Sequence, residues 1–199
     1  MLRYWGMKPI ILASRSPRRR EILENFRLEF ETVVSDFDED GAEVLSDPVE
    51  YADSLAKAKV GVVAKDYGDR VVLGADTIVV QDEKYFGKPK DRKEAKNFLT
   101  QFSGNWQTVI TALAVYSNGQ VFADHEVTRL KMNMLSEAEI ERYLDLGLWH
   151  DKAGGYTVVG PSALLVERME GCFYNVLGLP LNPLSRLLKR ANINLWEHL

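Results

Sequence analysis

Ile10-Ile11-Leu12-Ala13-Ser14-Arg15-Ser16-Pro17-Arg18-Arg19-Arg20-Glu21-Ile22-Leu23 changes its period in the middle. The first four residues are an unbroken apolar run of strand length, and Ile22, Leu23 and Phe26 then fall on one helical face. Ser16-Pro17 marks the join: the serine can cap free N–H groups and the proline is preset to the first helical φ. A buried strand leading through a short turn into a helix is the opening of an α/β chain. The turn carries charge of the wrong sign. Arg18, Arg19 and Arg20 occupy the first helical turn, where each cation costs roughly 0.3–1 kcal/mol against the macrodipole. A bound anion reverses that sign by collecting guanidinium forks, backbone N–H groups and serine hydroxyls. The stretch reads as a polyphosphate site, set against the alternative of a solvated basic face.

The rest of the chain continues the alternation of strand and helix. Glu29 to Val34 reads as a second strand and leads into the acidic loop Asp36-Phe37-Asp38-Glu39-Asp40-Gly41. Asp47-Pro48 with Glu50 starts a second helix by a capping-box pattern, its apolar arc formed by Tyr51, Ala52, Leu55, Ala58 and Val62. Lys59 falls inside that arc and Lys57 outside it; a lysine so placed either snorkels to water or serves as a functional ammonium. Val71 to Val80 is a near-continuous β-branched run, the pattern of a strand covered on both faces. Asp91 caps a third helix, with Ala95, Phe98, Leu99 and Phe102 inward and Gly104 ending it. Thr108 to Tyr116 and Phe122 to Met132 pair as a hairpin around Asn118-Gly119. Leu135-Ser136 with Glu139 and Ile140 starts a fourth helix. Ala163 to Met169 and Phe173 to Leu177 read as late strands, and Asn182-Pro183 starts a C-terminal helix that faces Leu184, Leu187, Leu188 and Ala191 inward.

At 199 residues the chain is long enough for a substantial interior and is read as a single domain, residues 1–199, which two small lobes sharing a core would also fit. The net charge of −4 argues against a general nucleic-acid binder, so the arginine cluster is a local pocket rather than part of a basic surface. Cys172 is the one cysteine, which excludes an intramolecular disulfide framework and a cysteine-based zinc motif. The three histidines are scattered without metal-ligand spacing. With no apolar run long enough for a membrane span and no secretory leader, a cytoplasmic protein is expected.

Asp76 is the sharpest anomaly after the arginines. It interrupts Val71-Val72-Leu73-Gly74-Ala75-Asp76-Thr77-Ile78-Val79-Val80, where an unpaired carboxylate would cost several kcal/mol. Such a group is a structural ion pair, a catalytic carboxylate or a metal ligand. The small Gly74-Ala75 pair before it permits close approach of backbone or ligand. Glu39 could share a hard cation with Asp76, since magnesium takes carboxylate oxygens together with substrate phosphate, set against the alternative of a solvated acidic loop. Lys88, between Gly87 and Pro89, is presented on a stiff loop, convenient for phosphate but equally common on a surface. Asp151-Lys152-Ala153-Gly154-Gly155-Tyr156 is glycine-rich and reads most simply as a turn, with a flat base against Tyr156 as the alternative. The chain has neither a G-x-x-x-x-G-K-[ST] loop nor a G-x-G-x-x-G fingerprint, which removes support for the standard NTPase and dinucleotide folds.

These segments together resemble the Maf family of nucleotide pyrophosphatases. The matching pieces are Leu12 to Arg19, Leu55-Ala56-Lys57-Ala58-Lys59, Leu73-Gly74-Ala75-Asp76-Thr77, Gly87-Lys88-Pro89, Ser103-Gly104 with Thr111, Asp151 to Tyr156, and Gly178-Leu179-Pro180-Leu181. They stand in the family's order from about residue 8 to 190. The resemblance implies a mixed α/β sheet flanked by helices, with two lobes around a cleft, similar to inosine triphosphate pyrophosphatase. It implies hydrolysis of a nucleoside triphosphate to the monophosphate and diphosphate with a divalent cation, Mg2+ or Mn2+. Carried over by position, Ser14, Arg18, Arg19, Lys59 and Lys88 hold the phosphates, Glu39 and Asp76 bind metal, and Asp76 is the catalytic carboxylate. Arg18 and Thr77 resemble the branch that prefers dTTP and UTP. Val159 departs from that branch, which usually carries a glutamine there that looks like a base-reading group; valine makes no such bond, so looser base selection is expected. The resemblance admits a homodimer. The alternative from another class is a nucleotide-binding regulator of cell division without essential catalysis.

Overall fold

The protein was analysed as a computed structural model, which describes residues 8–39 and 41–199. In chain order the elements are β1 (Ile10–Ala13), α1 (Pro17–Glu24), β2 (Phe30–Thr32), α2 (Pro48–Ala64), β3 (Val72–Gln81), β4 (Lys84–Phe86) and α3 (Arg92–Phe102). They continue as β5 (Trp106–Ser117), β6 (Gln120–Met132), α4 (Glu137–Asp145), β7 (Val166–Glu170), α5 (Phe173–Val176) and α6 (Leu181–Arg190). The strands form one mixed sheet of seven, ordered β2-β1-β3-β5-β6-β7 with β4 on β3. The expected α/β class with a mixed sheet and flanking helices is therefore what the chain adopts.

β1 explains why the opening run has no polar residue. It lies parallel between β2 and β3 and is buried throughout. Parallel neighbours require crossovers, and α1 and α2 supply them. β2 is shorter than the expected Glu29 to Val34.

The chain folds into two compact units. The first takes the described residues through Asp76, then Ala112–His125 and Leu181–Leu199; the second takes Thr77–Thr111 and Glu126–Pro180. In the first, α2 packs against β1 and buries Ala52, Leu55, Ala56, Lys59, Val60 and Val63. The expected arc is thus rotated: Tyr51, Ala58 and Val62 are only half-buried. The cause lies in β3. A Cβ on Gly74 would stand 2.5 Å from Val60 Cγ2 and 3.5 Å from the Ala56 carbonyl oxygen, so the helix is seated on a strand position that has no side chain. α6 buries Leu184, Leu187 and Leu188, as its spacing predicts.

In the second unit β3 turns back into β4 through Asp82 and Glu83, both with positive φ (48° and 61°). No glycine or asparagine marks that turn, so sequence patterning does not reveal the hairpin. The β5–β6 turn does carry such a mark, Asn118-Gly119. Phe86, Phe102 and Tyr156 form the aromatic centre of the core, with Phe102 edge-on to both partners at 4.8 and 5.9 Å. α3 starts on the Asp91 cap, and α4 on a complete capping box between Ser136 and Glu139. Two late strand readings are corrected. Gly160–Leu165 is a 3-10 helix that delays β7 to Val166, and Phe173–Val176 is a helical turn. A short apolar run does not distinguish strand from helix, and side-chain bonds of Asn175 hold this one helical.

Candidate active site

The turn after β1 is built as its sequence indicates. Ser16 caps α1 by accepting the Arg19 N–H, Pro17 opens the helix, and the first turn holds no acidic side chain. The arginines are not equivalent: Arg15 and Arg20 are exposed, whereas Arg18 and Arg19 are half-buried. Arg19 Nη1 donates to Ser14 Oγ at 3.2 Å and to the Ala75 carbonyl at 2.9 Å. Ser14 Oγ, almost buried, also accepts the Ser16 N–H at 3.2 Å. The helix start is thereby tied to β3 one residue before Asp76.

Asp76 is 4 % exposed and Lys59 9 %. Lys59 Nζ stands 2.5 Å from Asp76 Oδ1 and 2.9 Å from Glu39 Oε1, so one ammonium joins two carboxylates. Asp76 and Lys59 are buried; the Glu39 side chain is half-exposed. The snorkelling reading of Lys59 is excluded: its head ends in a buried ion pair. Ser14, Arg19, Lys59, Asp76 and Glu39 thus gather in the first unit, with Arg18 in the same helical turn as Arg19. Of the acidic loop, Asp40 lies outside the described residues.

In the second unit Lys88 Nζ pairs with Asp151 Oδ1 at 2.6 Å, both side chains being more than half exposed. The Gly154 N–H donates to the Gly87 carbonyl at 2.9 Å, which joins the Gly87-Lys88-Pro89 turn to the glycine-rich segment. Tyr156 is buried in the core against Phe102, and burial lifts its phenol above the ordinary range. It offers no open face for a base, so of the two readings of the glycine-rich segment the simple turn stands. Val159 is exposed, at the start of the 3-10 helix. Thr77 Oγ1 lies 2.9 Å from Thr111 Oγ1, which is bound in turn to Asn175. Asn175 is the residue that sequence reasoning missed; an amide inside the apolar run Phe173 to Leu177 was its only signal.

Among the described residues no group of three or more His, Cys, Asp or Glu side chains gathers as a metal centre. Two carboxylates converging on one cationic point nevertheless fit a hard divalent ion that takes its other oxygens from phosphate and water.

The family described as Maf-like protein matches residues 9–191. A dTTP/UTP pyrophosphatase of Desulforamulus reducens is 42 % identical over 191 residues, covering 95 % of this chain and 100 % of that protein. A dTTP/UTP pyrophosphatase of Aquifex aeolicus is 44 % identical, covering 92 % and 96 %. One from Clostridium botulinum is 40 % identical, covering 95 % and 100 %. The match runs from just before β1 to just after α6 and takes in the serine–arginine turn and the Asp76 strand alike, so this chain belongs to the Maf family.

Proposed function

We propose that this protein is a nucleoside triphosphate pyrophosphatase with dTTP and UTP as preferred substrates, residues 1–199 working as one catalytic domain. Water opens the anhydride bond between the α and β phosphates, and nucleoside monophosphate and diphosphate leave. The observation that carries the reading is the buried meeting of Lys59 with Asp76 and Glu39, one residue from the Ala75 carbonyl that holds Arg19. The names of the relatives supply the substrate.

Ser14, Arg18, Arg19, Lys59 and Lys88 bind the triphosphate in this scheme. Charge-assisted bonds to phosphoryl oxygens are the expected engine of the reaction, because the transition state spreads negative charge over them. Lys88 exchanges Asp151 for a phosphate. Glu39 and Asp76 would hold a divalent cation, Mg2+ or Mn2+, which would supply further neutralisation of that charge. Asp76 acts on the attacking water as general base, and as a metal ligand it would instead help hold the cation in place. Thr77 and Arg18 take part in base selection, and Val159 leaves that selection looser than a glutamine would.

Incubating the protein with dTTP, UTP, CTP and GTP in Mg2+ or Mn2+, and separating products by anion exchange, tests the proposal. Monophosphate plus diphosphate from dTTP and UTP is expected. Nucleoside diphosphate plus orthophosphate would overturn it, because that is cleavage at the γ phosphate.

A further inference from the structure

Asn175 is fully buried, and both polar atoms of its side chain are used. Its Oδ1 accepts the Thr111 backbone N–H at 3.0 Å, and its Nδ2 donates to the Val109 carbonyl at 2.9 Å and to Thr128 Oγ1 at 2.8 Å. Thr128 Oγ1 donates its own proton to the Cys172 carbonyl at 3.2 Å, so it can only accept from Asn175. The amide has one orientation: turned over, it would set donor against donor at Thr111 and acceptor against acceptor at Val109.

The backbone of Asn175 does more. Its carbonyl accepts from Thr111 Oγ1 at 2.8 Å, and Thr111 is itself fully buried. A hydroxyl has one proton and two lone pairs. The proton of Thr111 is committed to a carbonyl, which cannot donate. The 2.9 Å contact between Thr111 Oγ1 and Thr77 Oγ1 must therefore be donated by Thr77. The single proton of Thr77 is used up there, and every other partner of its hydroxyl meets a lone pair.

We infer that Thr111 and Asn175 are positioning residues that lock Thr77 as a hydrogen-bond acceptor, so that the base it meets must present a donor. This rests on the reading that Thr77 takes part in base selection. Uracil and thymine carry an imide N3–H, whereas N3 of cytosine is a lone pair. Cytosine's own donor, the N4 amine, lies one position away, so with Thr77 facing N3 discrimination between UTP and CTP follows from the direction of one partly buried proton, and a site built around a fixed hydrogen bond rejects a mismatched partner by large factors.

The test is kcat/KM for UTP and CTP in Mg2+ for the parent, Thr111→Val, Thr111→Ser and Thr77→Val. Thr111→Val removes the acceptor of the Thr77 proton and lets the hydroxyl turn to donate. The UTP-to-CTP ratio should fall by at least about tenfold, chiefly because CTP is used better. Thr111→Ser keeps the hydroxyl and should keep the parent ratio. A merely structural role would lower both substrates together and leave the ratio alone. Should Thr111→Val yield no folded protein, Thr111→Ala is read in the same way. An unchanged ratio in Thr111→Val beside a lowered one in Thr77→Val overturns the inference and leaves Thr77 as a base reader. An unchanged ratio in Thr77→Val overturns the base-reading role of Thr77, and the inference with it.

Discussion

A carboxylate in the middle of a buried strand needs a partner, and Asp76 has Lys59 at 2.5 Å. Removing one member of a buried pair usually leaves a stranded charge, at a cost of about 3–5 kcal/mol. Here the lysine keeps Glu39 at 2.9 Å, so an amide at position 76 strands nothing. Asp76→Asn is therefore expected to fold, with an unchanged circular dichroism spectrum and retained nucleotide binding. It should lose at least about 100-fold in kcat, equivalent to roughly 2.7 kcal/mol of barrier. A kcat near that of the parent would remove Asp76 from the chemistry in either of its proposed roles. Asp76 and Lys59 are legible in the sequence because each violates an apolar pattern. Thr111 and Asn175 are not: threonine is ordinary in a strand, and what matters about it is a hydrogen-bond direction set by a residue 64 positions away.

Helix starts are readable because the bonds that make them are local. Ser16, Asp47, Asp91 and Ser136 each accept backbone N–H groups two or three residues on, as their sequences indicate. Helix faces are another matter. The buried side of α2 is chosen by Gly74, a missing side chain on a strand that follows the helix, and periodicity within α2 carries no record of it. The same contact makes a prediction for the element. In Gly74→Ala the new methyl meets Val60 Cγ2 at 2.5 Å, and Val60 is a stiff, fully buried β-branched residue that cannot turn aside. The helix must lift from β3 by a few tenths of an ångström or more, carrying Lys59 away from Asp76. The substitution should cost about 1–3 kcal/mol and lower kcat/KM beyond what the loss of folded protein explains. Val60→Ala in the same chain should recover part of both losses, since it removes the atom that the methyl strikes. Thermal melting and kinetics of the two single variants and the double variant check this. Purely additive effects would mean that the helix is not seated through this contact.

At the scale of the whole molecule, the alternation of strands and helices identifies an α/β chain, while ordinary composition and a mild negative charge do not say how its stability responds to pH. None of the described helices is long and apolar enough to cross a membrane, and the pH response lies with ionisable groups that the fold has partly dried. Asp53 on α2 is the clearest. Its Oδ1 is buried and accepts no hydrogen bond among the described residues; the Nδ1 of the His125 imidazole is 3.8 Å away. Burial pushes its carboxyl above the ordinary value, and Asp124 and Asp47 push the same way, while His125 and Lys57 oppose without winning. The sign follows from linkage. Below the ordinary aspartate value of 3.8 the group is neutral in both the folded and unfolded chains and contributes nothing. As pH rises through that value the unfolded chain ionises first, so the folded state loses stability, and the loss is complete once pH passes the raised folded value. Asp53→Asn should therefore raise the melting temperature at pH 7, and the gain should shrink as pH falls and vanish below the ordinary aspartate value of 3.8. Melting curves of parent and variant from pH 3.5 to 8 decide it. A variant that melts below the parent at pH 7 would show that His125 and Lys57 hold the carboxylate more strongly than burial opposes it.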